Sequence, residues 1–208
     1  MTDSFPLMGF VRSVQVGRIA PLGPEAVLSG FVKTPVQGCV EVSLLGLAGD
    51  EQADPEVHGG PDKAVYAYSL GNYATWSSTF PQHRALLVPG GLGENLTIDG
   101  VAEGEVCLAD HVRIGTAVLQ VSQPRQPCFK FALRFNDLTM PRAMLKNGMS
   151  GWYYRVLQPG SLSAGDEVRL LERPHPQWSI ERTNRLIVQR RGTAAEKAEF
   201  ARLFSENG

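Results

Sequence analysis

The stretch His111-Val-Arg-Ile-Gly-Thr-Ala-Val-Leu-Gln-Val-Ser-Gln-Pro-Arg-Gln-Pro-Cys-Phe-Lys130 decides how this chain is read. His111 to Ile114 and Ala117 to Ser122 read as two short strands, and Glu105 to Leu108 reads as a third just before them. Turns of a few residues join the three, too short for parallel crossovers, so the expected architecture is an antiparallel barrel or sandwich. The stretch then changes character. Pro124 and Pro127 fix φ and stiffen a loop that delivers Cys128 to a defined place beyond a strand end. Arg125 and Lys130 lie near it in sequence, and positive charge favours the thiolate, the form that attacks electrophiles and binds metals. The competing reading makes Cys128 a small buried hydrophobe, because free cysteines are among the most buried residue types.

Working outward, Phe10 to Ile19 and Val40 to Leu44 read as strands, and Gly46 to Asp54 as irregular. Lys63 to Tyr68 reads as another strand. Ser69 to Phe80 carries Leu70, Tyr73, Ala74, Trp76 and Phe80 at near-helical spacing, a core-facing pattern. Beyond Cys128, Phe129 to Phe135 and Leu138 to Lys146 read as helices, the second closed by Asn147-Gly148 as a left-handed cap. Trp152 to Leu157 and Asp166 to Leu171 return as strands. A boundary falls near Arg173-Pro174-His175-Pro176, which separates residues 1–172, a β-rich domain with inserted helices, from a helical segment at 173–208. Thr193-Ala194-Ala195-Glu196 has the form of a capping box.

Two glycine-rich turns precede strands. His58-Gly59-Gly60-Pro61-Asp62-Lys63 and Gly90-Gly91-Leu92-Gly93-Glu94-Asn95 offer backbone N–H groups that can approach a ligand closely, the first with a histidine and a lysine beside it. Neither is a Walker loop or a dinucleotide fingerprint, since the required glycine and lysine spacings are absent.

Composition narrows the field further. The 208 residues carry 20 Lys and Arg against 21 Asp and Glu, a net charge of −1, and nothing in that balance calls for nucleic acid or an acidic membrane. From Glu172 onward seven basic side chains face five acidic ones, a net of +2 that fits a solvated helical tail better than a DNA-reading helix. The three cysteines, Cys39, Cys107 and Cys128, are widely spaced and odd in number, against a disulfide framework or a local zinc site. No secretory signal or membrane-spanning run is visible, and a soluble, cytoplasmic protein is expected.

Four pieces in order, Gly49-Asp50-Glu51-Gln52-Ala53-Asp54, His58-Gly59-Gly60-Pro61-Asp62-Lys63-Ala64-Val65, Gly93-Glu94-Asn95-Leu96 and Ser122-Gln123-Pro124-Arg125-Gln126-Pro127-Cys128, resemble the MOSC domain proteins of the YiiM type. The name refers to the C-terminal domain of molybdenum cofactor sulfurases. The resemblance runs from about Val11 to the end and implies a β-barrel with inserted helices, followed by a small helical segment that is shortened here. It implies a molybdenum cofactor, a pterin dithiolene with a phosphate tail, whose metal takes Cys128 as ligand at the catalytic centre. His58, Gly59, Gly60, Lys63 and Arg125 become candidates for its phosphate. Gly93, Glu94, Asn95 and Gln126 become candidates for its pterin or for fixing the loops around it, and Asp50 for a supporting or turn residue. The implied activity is reduction of N-hydroxylated compounds, hydroxylamino purines among them, from R–NH–OH to R–NH2 and water. No flavin or iron–sulfur motif is present, so a separate reductase would supply the electrons; a homodimer is also compatible. Two further readings stand beside this one: a carrier of the cofactor or its sulfur without turnover, and a structural barrel with an inert cysteine.

Overall fold

The protein, seen in a computed structural model, is described over residues 5–54 and 59–205. Its strands are β1 (Leu7–Val16), β2 (Ala20–Leu22), β3 (Val27–Ser29), β4 (Thr34–Pro35), β5 (Val40–Ser43), β6 (Gly46–Leu47), β7 (Val65–Ser69), β8 (Leu96–Asp99), β9 (His111–Ile114), β10 (Ala117–Pro124), β11 (Trp152–Gln158), β12 (Gly160–Leu162) and β13 (Glu167–Glu172). The helices are α1 (Asn72–Thr79), α2 (Phe129–Phe135), α3 (Thr139–Asn147), α4 (Ile180–Thr183) and α5 (Ala194–Ser205). Seven strands in the order β13-β9-β10-β11-β7-β8-β1 close into a barrel through the β1–β13 pairing. Closure removes the free edges that an open sheet would expose.

The barrel expected from the short turns is therefore present, with one exception to its antiparallel character. β7 and β8 run parallel, which the long connection from Ser69 to Leu96 permits because it carries α1 across the barrel wall. β1 begins at Leu7 and ends at Val16, earlier than Ile19, because the Gly17 N–H leaves the ladder to donate to the Asp50 carboxylate at 2.7 Å. The strand expected at Glu105 to Leu108 is a correction: only Cys107 pairs, in a single bridge to Ser179, and the Asp110 carboxylate captures the Cys107 N–H to make a turn. The hairpin of β2 and β3 and the short β12 were not legible in the pattern.

Two apolar clusters share the wall between them. Val65 and Ala67 of β7 point into the barrel with Val11, Leu96, Leu119, Trp152 and Tyr154. Tyr66 and Tyr68 point the other way, into an aromatic cluster with Tyr73, Trp76, Phe131, Phe135 and Met144 under α1, α2 and α3. The period of two along β7 is thus buried on both faces, which only a strand covered by helices can be. The helical segment after Arg173 packs Trp178, Ile180 and Leu186 into the barrel's own cluster. Thr193 and Glu196 form the capping box read from the sequence: each side chain bonds the other's backbone N–H. Among the described residues no helix is long and apolar enough to cross a membrane.

Candidate functional site

β10 ends at Pro124, paired with Trp152 of β11, and the chain then leaves the sheet. Pro124 and Pro127 hold this departure, and Cys128 arrives in extended conformation as the residue that opens α2. Its side chain is half-buried and lines a cavity of about 90 Å³ on the outer face of the barrel, enclosed between β7, β11, the segment after β3 and the segment after β6. The cysteine is neither sealed in hydrocarbon nor at an open surface. Cys107, by contrast, is buried against the Pro176 carbonyl, and burial raises its thiol pKa; Cys39 is exposed.

Charge is the second property of this cavity. Among the described residues, Lys33, Lys63, Arg125 and Lys130 line it with Asp50 and Glu51, four cations beside two anions. Arg125 is the unusual member. Only 4% exposed, its guanidinium lies 5.1, 5.3 and 5.5 Å from the ring centres of Tyr66, Phe131 and Phe31, and it touches the Met144 sulfur at 3.3 Å. It has no carboxylate partner among the described residues. Burial works against its charge, yet Tyr66, Tyr153 and Cys128 around it keep its pKa above the ordinary arginine value. A buried cation without an anion is costly unless a ligand or a thiolate completes it. Lys130, 8% exposed, likewise has no ion partner among the described residues.

Asp50 organises one side. It accepts from Gly17 N–H at 2.7 Å, Lys33 Nζ at 2.5 Å and Asn95 Nδ2 at 2.8 Å, and so ties three distant segments together at the cavity wall. Asn95 in turn accepts from the Tyr66 N–H at 3.1 Å, which fixes where β7 meets the cavity. Glu51, on the same wall, is engaged by Arg18 and the Ile19 N–H.

The residues singled out from sequence divide clearly. Cys128, Arg125, Gln126, Lys63, Gly93 and Asn95 come together around one cavity, and Asp50 joins them. Glu94 does not: it is fully buried behind the wall, and its carboxylate accepts from Tyr73 Oη, Gly90 N–H, Leu92 N–H and Thr97 Oγ1. Its role is to hold the glycine turn that presents Gly93, the loop-fixing alternative. Gly59 and Gly60 lead into the turn Pro61–Lys63 that places Lys63, without lining the cavity themselves. His58 lies outside the described residues. Sequence reasoning missed Phe31, Lys33, Tyr66 and Tyr153. The alternation of Tyr66 and Tyr68 in β7 was the available signal for the first tyrosine; nothing local marked Phe31 or Lys33.

Among the described residues no group of three or more His, Cys, Asp and Glu side chains could hold a metal ion. A metal at this site has one soft protein donor, Cys128, and must bring its remaining ligands with it.

Against known proteins, residues 54–169 match the MOSC domain. The chain belongs to the MOSC domain family. It is 40% identical over 166 residues to Protein YiiM of Escherichia coli strain K12, covering 80% of this chain and 74% of that one. The crystal structure of YiiM from Geobacillus stearothermophilus superposes with a TM-score of 0.76 at 34% identity, over 92% of this chain and 89% of that one. A protein named Reductase from Gibberella moniliformis strain M3125 / FGSC 7600 is 37% identical over 208 residues; this MOSC chain matches with 97% of its length but spans only 36% of that reductase. The MOSC barrel with inserted helices expected from the sequence is the fold observed.

Proposed function

We propose that this MOSC chain holds a molybdenum pterin cofactor with Cys128 as metal ligand and reduces N-hydroxylated compounds, hydroxylamino purines among them, with electrons from a separate reductase. The observation that carries the reading is the half-buried Cys128 sulfur in a cavity whose described lining holds more cations than anions, beside a buried Arg125 that lacks a carboxylate partner among the described residues. The donor set fits the group: one soft sulfur for a metal that carries its own sulfur ligands, an excess of cations for its phosphate, and aromatic walls for its flat ring system. When bound, the cofactor supplies two-electron redox chemistry. The fungal relative's name, Reductase, is in keeping with an oxidoreductase.

The chain's own residues have separable tasks in this reading. Cys128 binds the metal, and the proline-bracketed loop limits its movement. Arg125, Lys63 and Lys130 balance anionic charge, while Lys33 is held in place by Asp50. Phe31, Tyr66 and Tyr153 supply the aromatic part of the wall. The sequence carries no flavin or iron–sulfur motif, so the electron donor is a second protein that approaches near Cys128.

The test is elemental analysis of protein produced in a host that makes the cofactor. Wild type should hold close to one molybdenum per chain, Cys128→Ser should hold almost none, and the loaded protein with an added reductase should convert a hydroxylamino purine to its amine. Metal-free wild type from a competent host overturns the reading. Molybdenum without turnover on varied N-hydroxylated substrates leaves a cofactor carrier instead.

A further inference from the structure

The cavity wall holds two tyrosines in different states. Tyr66 and Tyr153 are cross-strand partners on β7 and β11, their ring centres 5.2 Å apart. The Tyr66 hydroxyl donates to the Ser150 carbonyl at 2.9 Å and is thereby engaged in the fold. Tyr153 shares the cavity wall with Arg125 and Cys128, and its phenol interacts electrostatically with both. A guanidinium has only donors to offer, so the phenol oxygen is the acceptor of that pair. Among the described residues the hydroxyls of Tyr66, Tyr68 and Tyr73 donate to the Ser150 carbonyl, the Met149 carbonyl and the Glu94 carboxylate, whereas the Tyr153 O–H has no carbonyl or carboxylate acceptor. Tyr153 lines the cavity with Arg125 and Cys128, and a hydroxyl there whose hydrogen is not taken by the fold can donate it to an acceptor atom on a ligand.

The other acidic groups of the wall are occupied. Asp50 accepts three hydrogen bonds, and Glu51 faces Arg18 and the Ile19 N–H. The lysine ammoniums serve as charges where an anionic group must sit, and a proton given up there would discharge them. A phenol is different: burial holds the Tyr153 pKa above the ordinary tyrosine value, which Arg125 only partly offsets, so the hydroxyl keeps its hydrogen for donation and solvent returns it once given.

We propose that the Tyr153 O–H is the donor to the N-hydroxyl oxygen of the substrate, orienting R–NH–OH and supplying one of the two protons that its reduction consumes. This rests on the reductase reading above. R–NH–OH takes two electrons from the reductase protein and two protons; the N–O bond breaks, one N–H and one O–H bond form, and the products are R–NH2 and water. Tyr153 delivers the proton to the oxygen, solvent delivers the other, and solvent reprotonates the phenolate.

The experiment compares wild type with Tyr153→Phe, both produced with the cofactor. Phenylalanine keeps the ring on the wall and removes only the hydroxyl, so molybdenum content and melting temperature should match wild type. With a hydroxylamino purine and the reductase, kcat should fall on the order of 100-fold. By calorimetric titration of the oxidised, loaded protein, affinity for the hydroxylamino purine should weaken about fivefold while affinity for the amine product, which lacks the oxygen, stays as it was. Full turnover in Tyr153→Phe, equal weakening for both ligands, or loss of molybdenum from the variant each overturns the assignment. A wild type that neither holds molybdenum nor turns over brings down the reductase reading itself, and this assignment with it.

Discussion

Arg173 and Arg125 are both drawn into the body of this protein, and their surroundings could hardly differ more. Arg173 grips Asp110 with two hydrogen bonds, 2.9 and 2.7 Å, and the Glu105 carbonyl with a third at 2.7 Å; Asp110 is fully buried and also takes the Cys107 N–H. Every charge there has its counter-charge within the chain, and the result is a staple between the turn after β8 and the end of β13. Arg125 has aromatic faces, a thioether and a phenol, but no carboxylate among the described residues. A closed charge pair belongs to the scaffold, and an open buried charge marks where the scaffold expects something else to bind.

This contrast predicts opposite outcomes for the same substitution. Arg173→Met leaves Asp110 buried with an uncompensated charge, and unfolding in urea should show a loss of about 3–5 kcal/mol. Arg125→Met removes a buried cation whose desolvation no carboxylate among the described residues offsets, while sacrificing its contacts with three rings. Its stability should stay within about 1 kcal/mol of wild type, and its molybdenum content should fall. Equal destabilisation by the two substitutions would erase the distinction drawn between them.

The boundary between the two kinds of region runs through the glycine turn before β8. Glu94 behind it is as closed as Asp110, with two backbone and two side-chain donors. Gly93 in front of it has φ of +88°, and a Cβ there would stand 3.2 Å from the Phe31 ring that also faces Arg125. Gly93→Ala should therefore cost about 1–2 kcal/mol for the left-handed backbone. It should also push Phe31 across the cavity, visible as a reduced molybdenum content in protein that still folds. Unchanged stability and unchanged metal would show that the turn is looser than its hydrogen bonds imply.

Sequence reading reached the closed scaffold and the open site by different routes. Short turns between β9 and β10 gave the barrel, and the prolines around Arg125 gave the loop, because both are local devices whose physics is complete within a few residues. The parallel β7–β8 pair was not local, since a helix and two turns separate its strands. Lys33, Tyr66 and Tyr153 reach Cys128 only because closing the barrel brings together segments far apart in the chain, and no spacing rule records that. Glu94 kept two readings for a related reason: a carboxylate in a glycine turn reads the same whether it faces a ligand or the turn's own N–H groups, and only burial distinguishes them.

The smallest effect concerns a charge that is closed although it lies near the surface. Asp137 accepts from the Thr139 N–H at 2.8 Å and Oγ1 at 2.6 Å and lies 2.9 Å from His83 Nε2, at the start of α3. The Thr139 hydroxyl first, and then His83, hold its pKa down to about 2. A carboxylate of depressed pKa contributes stability above its unfolded value near about 4, and that contribution is lost as pH falls through the folded value. Asp137→Ala should cost roughly 1 kcal/mol at neutral pH, as the loss of a helix-start cap does. It should also flatten the stability profile between about pH 4 and pH 2, where wild type declines. Thermal unfolding across that range separates the two proteins, and parallel profiles would mean that the Asp137 contacts do not persist in solution.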